Sequence, residues 1–204
     1  MSGRGFVQRA AAGFLAVCLG APMPVAAAPV EVTVLGTDGR PLAGAVVWVD
    51  SAAARAAAQP VSGAEVVQRG KAFLPEVAVV TVGSAVDFPN QDTVRHHVYS
   101  FSPAKRFELK LYVGRPEKPV VFDKPGIAVL GCNIHDQMQA WVVVLESPWS
   151  ARTNAQGRAL MADVPAGTHV LRAWHPDFPV GASALEQALV VGGSPLQTTL
   201  RVAG

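Results

Sequence analysis

An all-β fold is predicted for this chain of 204 residues. Three observations predict it. Beyond residue 27, short runs rich in β-branched and aromatic residues alternate with polar ones, Gly and Pro punctuate them closely, and no stretch sustains a long helical period. Many short strands separated by Gly/Pro turns indicate an antiparallel β-sandwich.

Val30–Val34 alternates, Thr37-Asp38-Gly39-Arg40-Pro41 is a turn, and Ala45–Val49 is a second β-rich run, so the three form a strand–turn–strand unit. Ser51 to Pro60 is nearly all alanine and reads either as a short helix started by Ser51 or as a linker. Strands follow at Glu65–Gln68, Val77–Val82, Ala85–Phe88, Val94–Phe101, Phe107–Val113, Val120–Phe122, Ile127–Cys132 and Ala140–Glu146. In Phe107–Val113 the apolar residues alternate with Glu108, Lys110 and Tyr112, which describes a strand with one buried face. Past Pro148 the turns Thr153–Arg158 and Val164–Gly167 separate strands at Ala159–Met161 and His169–Trp174, and Gln187–Val191 and Thr198–Val202 close the chain.

Residues 1–27 read as a secretory signal. Arg4 and Arg9 give a positive start, Ala10–Gly20 is apolar but too short to span a membrane, and Val25-Ala26-Ala27 offers small residues for cleavage. The mature protein is expected to be periplasmic or secreted, with no membrane span. Loss of Arg4 and Arg9 takes the seventeen basic residues to fifteen, matching the fifteen acids. That balance argues against a nucleic-acid footprint or a polybasic membrane patch. It also leaves Cys132 as the one cysteine, which cannot form an internal disulfide.

Cys132 has company. In Gly131-Cys132-Asn133-Ile134-His135-Asp136-Gln137-Met138, a thiol, an imidazole and a thioether follow one another with two residues in each gap. A tight loop of that spacing can turn all three donors toward one point. A thiolate, a histidine nitrogen and a weak methionine suit copper, whereas zinc ordinarily takes a set without a thioether. A fourth donor is available at His96 or His97, the only adjacent histidine pair in the sequence. These donors predict a mononuclear copper site of the blue, electron-transferring type, one copper per chain.

Phe122–Cys132, with His135, Met138 and Val142-Val143-Val144 after it, resembles the last two strands of a cupredoxin. The amicyanin kind shares the two-and-two spacing of the loop, while plastocyanin places its methionine further out. Val86–Asp92 leading into His96-His97-Val98 is similar to the family's segment carrying the first histidine, so the resemblance covers roughly Ala64 to Glu146. It implies a Greek-key sandwich, with His96, Cys132 and His135 as equatorial ligands and Met138 as the axial one. The family usually has Asn after the first histidine, and here that position is His97. Neighbouring strand residues face opposite sides, so only one of the pair can point inward; the family's order favours His96, with His97 as the alternative. Asn90, Asp92, His96–Ser102, Lys105, Phe107 and Gly131–Asp136 further resemble exported cupredoxin-like proteins of the methylamine-utilization type.

Asp38–Val47, Thr153–Gly157 and Val164–Leu171 resemble a second, smaller β-sandwich of the carboxypeptidase-regulatory or transthyretin-like kind. With the signal at 1–27, the two resemblances imply a first hairpin and linker at 28–60, an inserted cupredoxin domain at 61–146, and the rest of the second sandwich at 147–204. The alternative gives residues 29–60 to the copper domain and leaves 147–204 as a separate module.

An enzyme is not expected. Multicopper oxidases wire their blue site through histidines flanking the cysteine, and here Gly131 and Asn133 flank it. A dinuclear copper centre needs two cysteines. A cysteine–histidine hydrolase would need a base aimed at the thiol and an oxyanion hole, for which nothing in the pattern argues. The expected function is one-electron transfer between protein redox partners, a dehydrogenase or a c-type cytochrome, with His135 as the electron's port as the resemblance implies. The competing reading is a copper carrier or an interaction protein without redox turnover. His169 and His175 lie in the C-terminal part, where His175 reads as a structural histidine, and Trp48, Trp141 and Trp149 read as packing residues.

Overall fold

The computed structural model describes residues 26–179 and 181–202. The expected signal therefore lies outside the described residues as far as position 25. Ala27 is the first residue of the first strand.

The described residues form seventeen strands and one short helix, an almost wholly β structure. In chain order they are β1 (Ala27–Leu35), β2 (Val46–Asp50), α1 (Ala52–Ala57), β3 (Ala64–Glu65), β4 (Val67–Gln68), β5 (Phe73–Leu74), β6 (Val77–Thr81), β7 (Ser84–Asp87), β8 (His96–Ser102), β9 (Lys105–Tyr112), β10 (Val120–Phe122), β11 (Gly126–Gly131), β12 (Gln139–Leu145), β13 (Ser150–Arg152), β14 (Arg158–Pro165), β15 (Gly167–Trp174), β16 (Leu185–Val191) and β17 (Leu196–Arg201).

Two sheets enclose the middle of the chain. Five strands in the order β6-β12-β11-β8-β9 face three in the order β10-β7-β3, and Val86, Phe88, Val98, Phe122, Leu130 and Val142 fill the space between. Two other sheets, β14-β1-β17 and β13-β2-β15-β16, enclose a separate apolar cluster. There Val30, Val32 and Val34 point inward from β1 while Glu31 and Thr33 between them do not, which is the period of two seen in the sequence. A third cluster joins the two pairs of sheets: Val46 and Trp174 meet Val77, Val143 and Leu145, and the rings of Trp141 and Trp174 lie 6.2 Å apart.

Alanine-rich 52–57 is helical. Ser51 caps it, its Oγ accepting from Ala54 N at 3.1 Å, a bond type that contributes about 1 kcal/mol. The same hydroxyl lies 3.0 Å from Nδ1 of buried His169, whose Nε2 donates to the Pro165 carbonyl at 2.9 Å. That makes His169 a structural histidine that holds the helix start to β14 and β15. His175 is also held by backbone, its Nε2 donating to Ala43 O at 3.0 Å.

The structure departs from the sequence reading in three places. The sheets are not purely antiparallel: β1 with β17, β12 with β6 and β3 with β7 run parallel. Local turn signals cannot reveal such pairs, because parallel neighbours need long connections. The strand expected at Glu65–Gln68 breaks at Val66 into β3 and β4, whose partners are β7 and β5. The strands β5 and β13 were not anticipated, being two and three residues long.

Candidate metal centre

The loop from Cys132 to Met138 is pinched at its base. Gly131 pairs with Gln139 across the β11–β12 ladder, and the Met138 amide donates to His135 O at 2.9 Å, closing a tight turn. Cys132 is thereby fixed at the end of β11 and buried. Gly131 also faces Tyr99 of β8, which brings the head of β8 beside the loop.

His96 opens β8 and is fully buried. Its Nδ1 lies 3.1 Å from Nδ1 of His135, and His135 Nδ1 lies 3.9 Å from Cys132 Sγ. One donor atom from each of His96, Cys132 and His135 falls within 4.8 Å of the others, the one such group of His, Cys, Asp and Glu among the described residues. Met138 is buried in the same apolar cluster as Cys132. His97 takes another place. It is buried beside Tyr99, ring centroids 5.6 Å apart, and its Nε2 lies 3.0 Å from Glu108 Oε1, so it does not join the group.

The donor set fits a metal ion. A single centre can satisfy nitrogens 3.1 Å apart and a sulfur 3.9 Å from one of them with bonds of about 2.0–2.1 Å to nitrogen and about 2.3 Å to sulfur. Two imidazole nitrogens facing each other also ask for something between them, since two lone pairs at hydrogen-bond distance repel unless a proton or a cation lies there.

Two features around the group were not assigned a role from sequence. Asp92 accepts from the amides of Gly70 (2.6 Å) and Lys71 (2.9 Å) and lies 2.8 Å from His96 Nε2. The Lys71 amide above all, with help from His96 and Gly70, holds the Asp92 carboxyl below the usual carboxylate range against the opposing effect of burial. Tyr112 pairs with His96 across β8–β9, donates to Phe88 O at 2.5 Å and accepts from Gln68 Nε2 at 2.5 Å. Burial pushes its phenol up to about 12, with the negative charge of Cys132 adding to the shift and the Gln68 bond opposing it. A carboxylate four residues before a candidate ligand was visible in the sequence, but the distant turn that grips it was not.

No protein-family model matches the chain, and no curated protein matches it. Solved structures do. The chain is similar to a copper-containing nitrite reductase from Thermus scotoductus SA-01, with 26% identity over 43% of this chain and 25% of that one at a TM-score of 0.38. It is similar to a purple cupredoxin from Nitrosopumilus maritimus, with 20% identity over 40% of this chain and 99% of that one at a TM-score of 0.36. An amicyanin from Paracoccus versutus aligns with 18% identity over 48% of this chain and 97% of its own, also at a TM-score of 0.36. The matched part spans a quarter of the nitrite reductase's length and nearly all of the other two.

Proposed function

We propose that this chain is an exported copper protein that carries single electrons between redox partners. Copper would be held by His96, Cys132 and His135, with Met138 as a weak fourth ligand. The observation that carries this reading is the convergence of one sulfur and two ring nitrogens within 4.8 Å of one another, from a strand and a loop far apart in sequence.

Copper bound there would supply a couple between Cu(II) and Cu(I). The residues contribute the rest. Cys132 must be a thiolate and both imidazoles neutral where they face the ion, so protons compete with the metal. Burial of Cys132, His96 and Met138 keeps water from three of the four donors and holds them in place through a change of charge. His135 is only half-buried, and exposed Ile134 beside it presents apolar surface, so this edge is where a partner approaches. A dehydrogenase or a c-type cytochrome suits that role, as does the likeness in sequence to exported proteins of the methylamine-utilization type.

The separate apolar clusters support an inserted arrangement. The copper-binding sandwich would occupy 61–146, flanked by two parts of the smaller regulatory-like sandwich at 28–60 and 147–204. Export to the periplasm rests on the charged start and apolar stretch of residues 1–27. No helix among the described residues is long and apolar enough to cross a membrane.

Redox titration of the purified protein loaded with one equivalent of copper tests the function. One reversible one-electron step is expected. Copper uptake without reversible reduction would favour delivery, and no uptake would leave only an interaction role.

A further inference from the structure

The hairpin formed by β4 and β5 contributes no ligand, yet it reaches the centre. Its turn places Gly70 and Lys71 in the left-handed region, with φ of 63° and 56°. For lysine that backbone conformation is unfavourable. The two successive amides it presents converge on one carboxylate, Gly70 N on Asp92 Oδ1 at 2.6 Å and Lys71 N on Asp92 Oδ2 at 2.9 Å. Asp92 is also tied from its own side, its amide donating to Asn90 Oδ1 at 2.9 Å. Asn90 is buried and donates through Nδ2 to Val94 O and Tyr112 O at 2.9 and 2.8 Å. The carboxylate therefore has a fixed position before it meets any histidine.

What it meets is His96 Nε2, at 2.8 Å from Oδ2. An ionised carboxylate only accepts, so the proton at that contact belongs to the imidazole. A neutral ring with its proton on Nε2 carries its lone pair on Nδ1, the atom 3.1 Å from His135 Nδ1. We propose that Asp92, gripped by the Gly70 and Lys71 amides, is a positioning residue that fixes the tautomer and the ring orientation of His96, so that Nδ1 is presented to a metal. The tautomer belongs to the chain by itself; its consequence for copper rests on the function proposed above.

Asparagine at 92 cannot replace the carboxylate. Both oxygens of Asp92 receive N–H groups, and an amide would turn its own NH₂ against one of them. The loss should appear at the metal, where partners of ligating histidines set affinity over a range of about 10- to 100-fold. The negative charge favours the higher-charged ion, so Cu(II) affinity should fall further than Cu(I) affinity. Each tenfold difference between the two raises the reduction potential by about 59 mV for a one-electron couple.

The test uses the full chain. Nitrogen-15 NMR of the metal-free wild type, Asp92→Asn and Asp92→Ala reads the His96 tautomer. Competition titrations with Cu(I) and Cu(II) then read affinity, and thermal unfolding of the metal-free proteins reads stability. The expected result is an Nε2–H tautomer at His96 in the wild type, mixed tautomers in both variants, and copper affinity lowered about 10- to 100-fold. A merely structural Asp92 would lower the unfolding temperature while leaving tautomer and affinity unmoved, and that result overturns the proposal. So does an Nδ1–H tautomer in the wild type. A wild type with the Nε2–H tautomer but no copper uptake overturns the copper reading and the metal role of Asp92 with it, and the wild-type titration alone identifies that case.

Discussion

Tyr99 lies so close against Gly131 that a Cβ at 131 would sit 2.8 Å from both Cζ and Oη of the tyrosine. These residues are register partners between β11 and β8, the strands that deliver Cys132 and His96. The absent side chain at 131 is thus what lets the two strands close over the centre.

Gly131→Ala is expected to destabilise the protein by about 1–3 kcal/mol, the usual cost of forcing an extra methyl into a packed site. Chemical denaturation measures it. Adding Tyr99→Ala should relieve most of the clash, giving a double mutant more stable than the sum of the single effects implies. Strict additivity would show that the two residues are not coupled.

Met138 separates packing from ligation. It is 1% exposed within the central cluster, so Met138→Ala should cost about 2–5 kcal/mol and Met138→Leu less than about 1.5 kcal/mol. Because Met138→Leu keeps the volume and removes the thioether, it is the variant for spectroscopy. It should retain copper bound by the other three donors and change the visible spectrum, while an unchanged spectrum would exclude Met138 as a ligand.

Tyr112 should report the burial beside the centre through its titration. Its phenol is raised from 10 to about 12 by burial, so the folded state holds the proton more tightly than the unfolded chain. The stability this lends is complete below pH 10 and disappears as the pH climbs from 10 toward 12. The ultraviolet absorbance of tyrosinate should show a step near 12 that Tyr112→Phe removes. A wild-type protein lacking that step would contradict the buried placement.

Thr153 tests the second pair of sheets. Its buried Oγ accepts from Ala45 N at 2.9 Å and donates to Leu42 O at 2.7 Å, joining segments more than a hundred residues apart. Thr153→Val keeps the shape and leaves both backbone groups without this partner, which should cost about 1–3 kcal/mol each where they stay buried. A stability equal to wild type would mean that water replaces the hydroxyl.

Much of this was legible in the sequence because it depends on short-range pattern. Val30, Val32 and Val34 alternate with polar residues, and Cys132 and His135, whose donor atoms do meet, are close enough in the chain for spacing alone to suggest it. Alternation says only that His96 and His97 face different surroundings, and at the head of β8 they do, although both are buried; the preference for His96 came from the family's order. What stayed hidden was long-range or very short. Nothing near Ala27–Leu35 announces that it pairs in parallel with Leu196–Arg201. The turn at Gly70-Lys71 lies more than twenty residues before the carboxylate it grips, on a hairpin whose strands are two residues each. His97 is the alternative to His96 in the sequence, and its burial beside Tyr99 next to Glu108 depends on β9, which the sequence around His97 does not contain.

The most direct test of the metal centre is the visible absorption spectrum of the purified protein after one equivalent of Cu(II), taken alongside that of Cys132→Ala. An intense thiolate-to-copper band in the first and its absence from the second is the result predicted here. Identical spectra, or a wild type that stays colourless under oxidising conditions, would contradict copper ligation by Cys132.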